Sequence, residues 1–391
     1  MTGAYPRLDA ALEDAGVDGY LVDADGDDPT QYYLSGYHAP DEFVTLYADG
    51  EVRLLVSPLE ATRADGDSDA AEVRDLAEFD FEELAEEHGR NGYRPHAAAR
   101  FLDEYGIDSV AVPVSFPSGT AEVLREYGVD VEVDYDDAVG DLRAVKTDAE
   151  IEAVAETQRA NEAAMAAAED LLAAASVEDG VLVHDGDALT SERVRREIEV
   201  TLLEEGCLLE DCIVASGPEA ARAHESGSGP IEAGEPVVVD VFPRGKTSRY
   251  YGDMTRTFVK GEHDDQTREW YEVIRAAFDA ALDVLEAGVT GEAVDAAVCD
   301  VFEDAGYPTL RTHDSPDRGF FHSTGHGVGL AVHEQPSLSR FGGELEAGHV
   351  VTVEPGLYEQ GVGGVRLEDL VVVTEDGYRN LDDYPRDLRV V

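Results

Sequence analysis

Two neighbouring stretches, Val237-Val-Val-Asp-Val-Phe242 and Gly252-Asp-Met-Thr-Arg-Thr-Phe258, decide the fold of the larger part of this chain. The first is an apolar strand pattern interrupted by Asp240, and the second begins with another carboxylate, Asp253. An ionised carboxylate cannot stay buried in apolar company without a cation or hydrogen-bond donors beside it. The pattern therefore predicts a strand in which Asp240 is compensated by a cation or by hydrogen-bond donors.

Working outward, residues 146–391 show strands and helices in blocks, which predicts an α+β domain. A capping box, Thr147-Asp-Ala-Glu150, begins a long alanine-rich helix that we expect to reach about Ser176. The Gly- and Asp-rich stretch 177–189 after it is typical of a loop. The remaining predicted elements are strands at 236–242, 350–353 and 365–373 and helices at 191–205, 270–285 and 292–304.

Residues 1–145 alternate short helical and strand patterns, which predicts an α/β domain with a mixed sheet. Asp49-Gly-Glu51 separates two apolar runs and indicates a hairpin. This part of the sequence contains no cluster of potential ligands and so indicates no function of its own. Its predicted elements are helices at 6–15 and 95–105 and strands at 19–25, 43–48, 52–57 and 109–114.

The charge of the chain narrows the choice of partners. Its 391 residues include 29 Lys and Arg against 86 Asp and Glu, for a formal net charge of −57. Nucleic acids and anionic membrane surfaces repel such a polyanion, so we expect neither as a partner. Because 43% of the residues are hydrophobic, the chain can still bury a core of ordinary size. A folded polyanion with three lysines resembles the proteins of halophiles, in which concentrated salt screens surface carboxylates.

The sequence also predicts a cytoplasmic location. No apolar run approaches the roughly 18 residues of a membrane span. Met1-Thr-Gly-Ala-Tyr5 has neither the basic start nor the apolar stretch of a signal peptide. Cys207, Cys212 and Cys299 form no CxxC pair, and we expect buried thiols in a reducing compartment.

Five residues in apolar or glycine-rich segments share one chemistry, that of hard metal ligands: Asp240, Asp253, His326, Glu354 and Glu368. Four carboxylates and one imidazole prefer Mn²⁺, Co²⁺, Fe²⁺ or Zn²⁺, and their formal charge of −4 matches two divalent ions. Two such ions about 3.5–4 Å apart can share a hydroxide and polarise a carbonyl group, which suits amide hydrolysis.

Six segments follow one another in an order that matches a known family: Asp240, Asp253-Met-Thr-Arg-Thr257, Gly325-His-Gly-Val-Gly329, Val332-His-Glu334, Val353-Glu-Pro-Gly356 and Gly364-Val-Arg-Leu-Glu-Asp369. They resemble the pita-bread metallopeptidases, specifically the Xaa-Pro group of aminopeptidase P and prolidase. The resemblance implies a pita-bread catalytic domain over 146–391 and a creatinase-like domain over 1–145, where Tyr33-Leu-Ser-Gly-Tyr37 is a weak signature. It also implies a proline-containing peptide substrate, two divalent ions, in the first place Mn²⁺, and a homodimer.

The resemblance implies a role for each of the five ligands. Asp240 would bind the first metal ion, and Asp253 would bridge both ions. His326 and Glu354 would bind the second ion, and Glu368 would be the other bridge. Glu354 would also accept the proton of the bridging water.

Three histidines and an arginine complete the implied site. His224 matches a histidine that contacts the substrate and relays protons, and His333 matches one that lines the substrate groove. His322 matches a further active-site histidine. Arg366 would hold the site or the substrate through charge-assisted hydrogen bonds.

Two departures from the family pattern bear on function. Asp240 and Asp253 are 13 residues apart, two more than is usual, and the extra residues fall in a segment, 242–252, that we predict to be a hairpin. Prolidases tend to carry an arginine after the His-Glu-x-Pro run to bind the free carboxylate of a dipeptide, whereas Ser337 follows that run here and Arg340 comes three residues later. This favours aminopeptidase P action on longer peptides, with dipeptidase action as the alternative.

Three other functions compete with an Xaa-Pro peptidase. A creatinase-like C–N hydrolase shares the fold but works without metal, which the five ligands disfavour. A methionine aminopeptidase would need no domain over 1–145. A non-catalytic binding module on the same scaffold would be expected to have lost ligands.

Overall fold

The computed structural model describes residues 5–90, 92–314 and 317–390, with the backbone alone of 389 and 390. The chain divides into two compact units, Met1–Arg143 and Ala144–Val391. Residues 1–4, which belong to the segment without signal-peptide features, lie outside the described residues. In the described ranges, no helix combines the length and the apolar character that crossing a membrane requires.

The smaller unit consists of short helices around one sheet. Its helices are α1 (Pro6–Ala15), α2 (Pro29–Ser35), α3 (Ala61–Asp67), α4 (Phe81–His88), α5 (Tyr93–Glu104), α6 (Ser118–Glu126) and α7 (Ala138–Ala144), and its strands are β1 (Gly19–Ala24), β2 (Phe43–Ala48), β3 (Glu51–Val56), β4 (Glu72–Asp75), β5 (Ser109–Pro113) and β6 (Asp130–Asp134). The strand order in the sheet is β4-β3-β2-β1-β5-β6. The three central strands β1, β2 and β3 pair antiparallel and the others join in parallel, so the sheet is mixed as predicted.

Both faces of this sheet are covered. Successive side chains of a strand point to opposite faces. Accordingly, Tyr20 and Val22 of β1 lie in one hydrophobic core with residues of α1, whereas Leu21 lies in a second core with residues of α5. Helices on both faces of a sheet define an α/β layer structure, which confirms the fold class predicted for this part of the chain.

The larger unit contains two pairs of long helices and several short sheets. Its helices are α8 (Asp148–Ala174), α9 (Ser191–Glu204), α10 (Asp265–Val284) and α11 (Gly291–Asp304). Its strands are β7 (Ser176–Glu178), β8 (Val181–His184), β9 (Asp187–Ala188), β10 (Cys207–Leu208), β11 (Cys212–Ser216), β12 (Pro236–Val241), β13 (Arg244–Gly245), β14 (Met254–Val259), β15 (Arg318–Gly319), β16 (Gly325–Gly327), β17 (Glu334–Leu338), β18 (Val350–Val353), β19 (Gly356–Glu359), β20 (Gly363–Arg366), β21 (Asp369–Thr374), β22 (Gly377–Asn380) and β23 (Arg389–Val390).

Each helix pair packs on one sheet, which gives the predicted α+β arrangement. Residues of α8 and α9 share a core with the sheet of order β11-β12-β14-β23. Residues of α10 and α11 share another core with the sheet of order β17-β16-β18-β21-β22. The predicted capping box starts α8: the Thr147 hydroxyl accepts from the Glu150 N–H, and the Glu150 carboxylate accepts from the Thr147 N–H.

The loop predicted over 177–189 is wrong, because this stretch forms the three-stranded sheet β7-β8-β9. Asp179-Gly180 and Asp185-Gly186 are the two-residue turns of this sheet, and all four residues have positive φ angles between 50° and 86°. Asp-Gly in that conformation matches the right-handed twist of a hairpin. The acidic, glycine-rich composition therefore marked two tight hairpins.

The single strand predicted over 365–373 is also wrong, since it is divided between β20 and β21. Glu368 lies in the interruption, where the chain passes from one sheet to another. The hairpin predicted over 242–252 is confirmed: the Gly252 N–H donates to the Pro243 carbonyl, and β12 and β14 pair without a register shift. The two extra residues of this segment therefore leave the strands in place.

Candidate metal centre

A cavity of about 480 Å³ lies in the larger unit, between the ends of several strands. All residues that the sequence assigned to metal binding or catalysis line it. Its lining residues are Asp211, Ile213, Ala223, His224, Asp240, Phe242, Asp253, His322, Ser323, His326, Val332, His333, Glu354, Arg366 and Glu368.

Strand pairing places the first two carboxylates on one face. Asp240 of β12 lies opposite Thr255 of β14 in the antiparallel register. Because alternate residues of a strand share a face, Asp253 points to the same side as Thr255 and therefore as Asp240. Two carboxylates that are 13 residues apart thus become neighbours in the cavity wall.

Three of the predicted ligands form a tight group: one ligand atom each of Asp253, His326 and Glu368 lie within 4.8 Å of one another. Glu354, which follows β18, adds a third carboxylate near the imidazole, with its Oε1 3.5 Å from His326 Nε2. The same nitrogen is 3.8 Å from Asp253 Oδ2. The group thus presents three carboxylates around one imidazole nitrogen.

Asp240 has a different partner in this arrangement. Its Oδ2 lies 2.6 Å from Arg366 Nη2, whereas its Oδ1 is buried without a hydrogen-bond partner in the described residues. A buried carboxylate oxygen without a donor is unfavourable unless a cation satisfies it. The orphaned Oδ1 therefore fits a metal ion at Asp240.

Glycines around His326 allow β16 to approach its neighbours closely. A Cβ atom on Gly325 would lie 2.0 Å from the Thr352 carbonyl oxygen, and one on Gly327 would lie 2.1 Å from the Gln335 carbonyl oxygen. Any side chain at either position would push β16 outward. The two glycines thus fix the depth at which the imidazole enters the cavity.

The raised pKa values of the carboxylates also indicate that cations bind here. Burial, followed by the charges of Asp240 and Glu354, raises the pKa of Asp253 well above its ordinary value. Burial and then the charge of Asp253 raise the pKa of Glu368 in the same way. Burial raises the pKa of Glu354 to about 8. Divalent cations would remove the repulsion and allow all these groups to ionise.

Three imidazoles of the cavity, those of His322, His326 and His333, have pKa values below the ordinary value of histidine. Burial lowers the pKa of His322 and of His326 to about 3. Burial, followed by the charge of His224, lowers the pKa of His333. The His333 ring lies 4.3 Å from that of His326, centroid to centroid. Unlike His322 and His326, His224 and His333 are exposed at the cavity wall. Neutral imidazoles can bind a metal ion or exchange hydrogen bonds with a substrate.

Two residues that sequence reasoning missed connect these groups. The Tyr358 hydroxyl accepts a hydrogen bond from Arg366 Nη1 at 2.9 Å and lies 3.0 Å from His322 Nε2. The Thr255 hydroxyl donates to Glu368 Oε2 at 2.8 Å and accepts from Arg366 Nε at 3.1 Å. The two-residue period of a strand could have indicated Thr255, since it follows Asp253 on the same face.

Comparison with known families agrees with this geometry. The profile of metallopeptidase family M24 matches residues 152–375, more than half of the chain, and that of the creatinase/prolidase N-terminal domain matches residues 5–145. The chain belongs to metallopeptidase family M24. This M24 protein is thus an enzyme, a hydrolase of peptides, as the sequence predicted. Enzymes of the family are dinuclear metalloenzymes.

Similar proteins include dipeptidases and an aminopeptidase. The Xaa-Pro dipeptidase of Pyrococcus furiosus is 33% identical over 258 residues, which are 65% of this M24 chain and 67% of the relative. The structure of an Xaa-Pro dipeptidase from Bacillus anthracis superposes with a TM-score of 0.82 at 26% identity, covering 99% of this chain and 98% of the other. The structure of an X-Pro aminopeptidase from Thermotoga maritima superposes with a TM-score of 0.78 at 26% identity, covering 98% and 100%.

These likenesses confirm the two-domain fold, with a creatinase-like first domain and a pita-bread second domain. The relatives named dipeptidases support the dipeptidase alternative better than the preference for aminopeptidase P action. The preference relied on Ser337 in place of an arginine. A single position is too little to decide substrate length, and Ser337 is not among the residues that line the cavity.

Proposed function

We propose that this M24 peptidase is an Xaa-Pro dipeptidase, which hydrolyses the bond before proline in dipeptides. The proposal is carried by the convergence of Asp253, His326 and Glu368 in a cavity that also contains neutral histidines. Relatives named Xaa-Pro dipeptidase support dipeptides as substrates. Release of the first residue from longer Xaa-Pro peptides is the second candidate, and Ser337 favours it because it leaves no cation directly after the His-Glu-x-Pro run.

In the proposed metal centre, Asp240 would hold one ion, and His326 and Glu354 would hold the other. Asp253 and Glu368 would contribute ligands to both. This hard donor set favours Mn²⁺, with Co²⁺, Fe²⁺ and Zn²⁺ as further candidates. When bound, such ions lower the pKa of a coordinated water and polarise the peptide carbonyl.

The protein's own side chains would orient the substrate and move the protons. Glu354 accepts the proton of the attacking water and passes it to the proline nitrogen as that nitrogen leaves. His224 and His333 contact the substrate and hold the carbonyl oxygen, whose negative charge grows in the tetrahedral intermediate. His322 is held by the Tyr358 hydroxyl, and Arg366 orients Asp240 through a charge-assisted hydrogen bond of 2.6 Å.

The proposal also includes the domain boundary, the oligomeric state and the cellular location. We place the boundary between the creatinase-like and catalytic domains at residues 145 and 146. We propose that the enzyme works as a homodimer in a salt-rich cytoplasm, where dissolved ions screen its net charge of −57. Light scattering in concentrated KCl measures the molar mass, and a monomer would contradict the dimer.

A peptide panel in high salt tests the proposed reaction. The metal-depleted enzyme is reloaded with each divalent ion and assayed on an Xaa-Pro dipeptide, its C-terminal amide and the corresponding Xaa-Pro-Yaa tripeptide. A charge-assisted hydrogen bond is worth about 1.5–3 kcal/mol, so a dipeptidase should prefer the free carboxylate over the amide by about 10- to 150-fold in kcat/KM. Equal or faster cleavage of the tripeptide would select the aminopeptidase candidate instead.

Variants of the ligands test the site. Asp253→Ala and Glu354→Ala should abolish hydrolysis in every metal-reconstituted sample. Asp265→Ala serves as the control, because its carboxylate is 96% exposed in the first turn of α10. Full activity in either ligand variant, or equal loss in the control, would refute the assignment.

A further inference from the structure

Gln158 is a fully buried polar residue of α8, the helix that shares a hydrophobic core with Met254 and Phe258 of β14. Its amide makes two hydrogen bonds to a single ligand residue. Oε1 accepts from the Asp253 N–H at 2.9 Å, and Nε2 donates to the Asp253 carbonyl oxygen at 2.8 Å. The side chain thus forms hydrogen bonds with the backbone of Asp253 on both sides of its Cα atom.

Asp253 needs this support because it lies beyond the strand ladder. The pairing of β12 with β14 ends with the pair of Val241 and Met254. Asp253 directly precedes Met254 and therefore lies just outside the ladder. The backbone N–H and carbonyl of Asp253 therefore lack strand partners, and buried backbone groups require some partner. Gln158 supplies both hydrogen bonds from the helix.

The same amide also connects to the segment that carries Glu368. Gln158 Nε2 donates to Asp382 Oδ1 at 2.6 Å, and Asp382 Oδ2 accepts from the Leu370 N–H at 2.7 Å. Leu370 is two residues after Glu368. A continuous chain of hydrogen bonds therefore joins the backbone at Asp253 to the backbone beside Glu368.

Gly252 makes these hydrogen bonds between Gln158 and Asp253 possible. A Cβ atom at this position would lie 2.6 Å from Gln158 Oε1 and 3.2 Å from the Gln158 backbone nitrogen. The missing side chain therefore allows α8 to approach the strand closely enough for the amide to reach. The close approach and the double hydrogen bond are separate observations that indicate the same constraint.

We propose that Gln158 is a positioning residue that sets the spacing between Asp253 and Glu368, the two carboxylates assigned to both metal ions. The inference rests on that metal assignment. Residues that orient metal ligands typically change metal affinity by about 10- to 100-fold when they are removed. Gln158→Leu keeps the size of the side chain and loses all three hydrogen bonds, so we expect a loss of that size in Mn²⁺ affinity.

Thr157→Val is the matched control. Thr157 is the neighbouring residue of α8 and is buried, and its hydroxyl donates to the Tyr250 carbonyl at 3.0 Å rather than to a ligand residue. Both variants remove polar contacts between α8 and the strand region. Only the Gln158 variant removes contacts with Asp253, so only it should lose affinity for Mn²⁺.

The test combines calorimetric titration of the metal-free enzyme with Mn²⁺, the electron paramagnetic resonance spectrum of the loaded enzyme and the melting temperature of each variant. We expect Gln158→Leu to bind Mn²⁺ at least about tenfold more weakly and to alter the spin coupling of the ion pair, while Thr157→Val keeps the wild-type affinity and spectrum. Gln158→Glu, which retains the acceptor and loses the donor, replaces the leucine variant if that variant does not fold.

The outcomes separate this inference from the proposed function. A wild-type enzyme that binds no pair of Mn²⁺ ions would overturn the metal assignment and this inference with it. If the wild-type enzyme binds a pair of Mn²⁺ ions and the Gln158 variant binds them with the same affinity and the same spectrum, the positioning role alone is overturned. Equal losses of affinity in the Gln158 and Thr157 variants would also overturn it, because helix packing would then be the cause.

Discussion

Removal of the Arg366 guanidinium should destabilise the metal-free enzyme far more than the metal-loaded enzyme. Arg366 is 3% exposed and lies 2.6 Å from Asp240, which is 8% exposed. It also donates to Thr255, Tyr358 and the Ala223 carbonyl. Arg366→Met preserves most of the side-chain volume but leaves the Asp240 carboxylate without its cation.

The size of the effect follows from burial. Removing one partner of a buried ion pair costs about 3–5 kcal/mol in the free energy of unfolding. For a domain of the size of residues 144–391, 1 kcal/mol corresponds to about 2–4 °C in melting temperature, so the metal-free variant should melt about 6–20 °C lower. A bound divalent ion at Asp240 would compensate its charge, and the loss in the loaded enzyme should therefore be less than half as large.

Scanning calorimetry in concentrated KCl, with either chelator or excess Mn²⁺, measures both differences. Arg311→Met is the control, since Arg311 also contacts two carboxylates but its side chain is 31% exposed, and surface pairs contribute about 0–1 kcal/mol. Adding Asp240→Asn to Arg366→Met should restore part of the stability of the metal-free protein by removing the unpaired charge. An equal fall in melting temperature with and without Mn²⁺ would refute a metal ion at Asp240.

Three further predictions concern the same unit and the charge of the whole chain. Gly325→Ala should displace His326 and weaken Mn²⁺ binding at least about tenfold, whereas Gly343→Ala, whose Cβ would meet no atom within 4 Å, should bind normally in the same titration. The raised pKa of Glu354, about 8, keeps a proton on this carboxyl at neutral pH, and Mn²⁺ must displace that proton. The affinity for Mn²⁺ should therefore rise about tenfold per pH unit from about pH 6 to about pH 8. Calorimetry in buffers of different ionisation enthalpy measures the released proton, and finding no release would contradict this prediction. The melting temperature should rise between about 0.5 and about 3 M KCl as salt screens the net charge of −57, and a salt-independent value would exclude self-repulsion as the cause.

Much of the local structure follows from short-range patterns. The helix predicted over 6–15 has the bounds of α1, and the capping box at Thr147 begins α8, because capping and helical periodicity depend on residues within four positions of one another. The error over 177–189 came from reading glycine and aspartate as loop composition. The Asp-Gly pairs there are short-range signals as well, and their spacing indicates hairpins.

The sequence alone identified part of the candidate site. Asp240 could be singled out because a carboxylate in an apolar strand demands compensation, and all nine residues selected from the sequence line one cavity. Tyr358 and Gln158 carried no such signal, since their roles depend on atoms from distant segments. Gln158 meets Asp382 across 224 positions of the chain.

The chemistry of the ligands was readable from residue types, because carboxylates and imidazole have the same donor properties in any fold. Which of them meet was not readable: Arg366 rather than a strand neighbour compensates Asp240, and Thr255 connects that arginine to Glu368. These contacts join residues more than 100 positions apart, so they arise from the packing of whole strands and helices and leave no periodic trace in the chain.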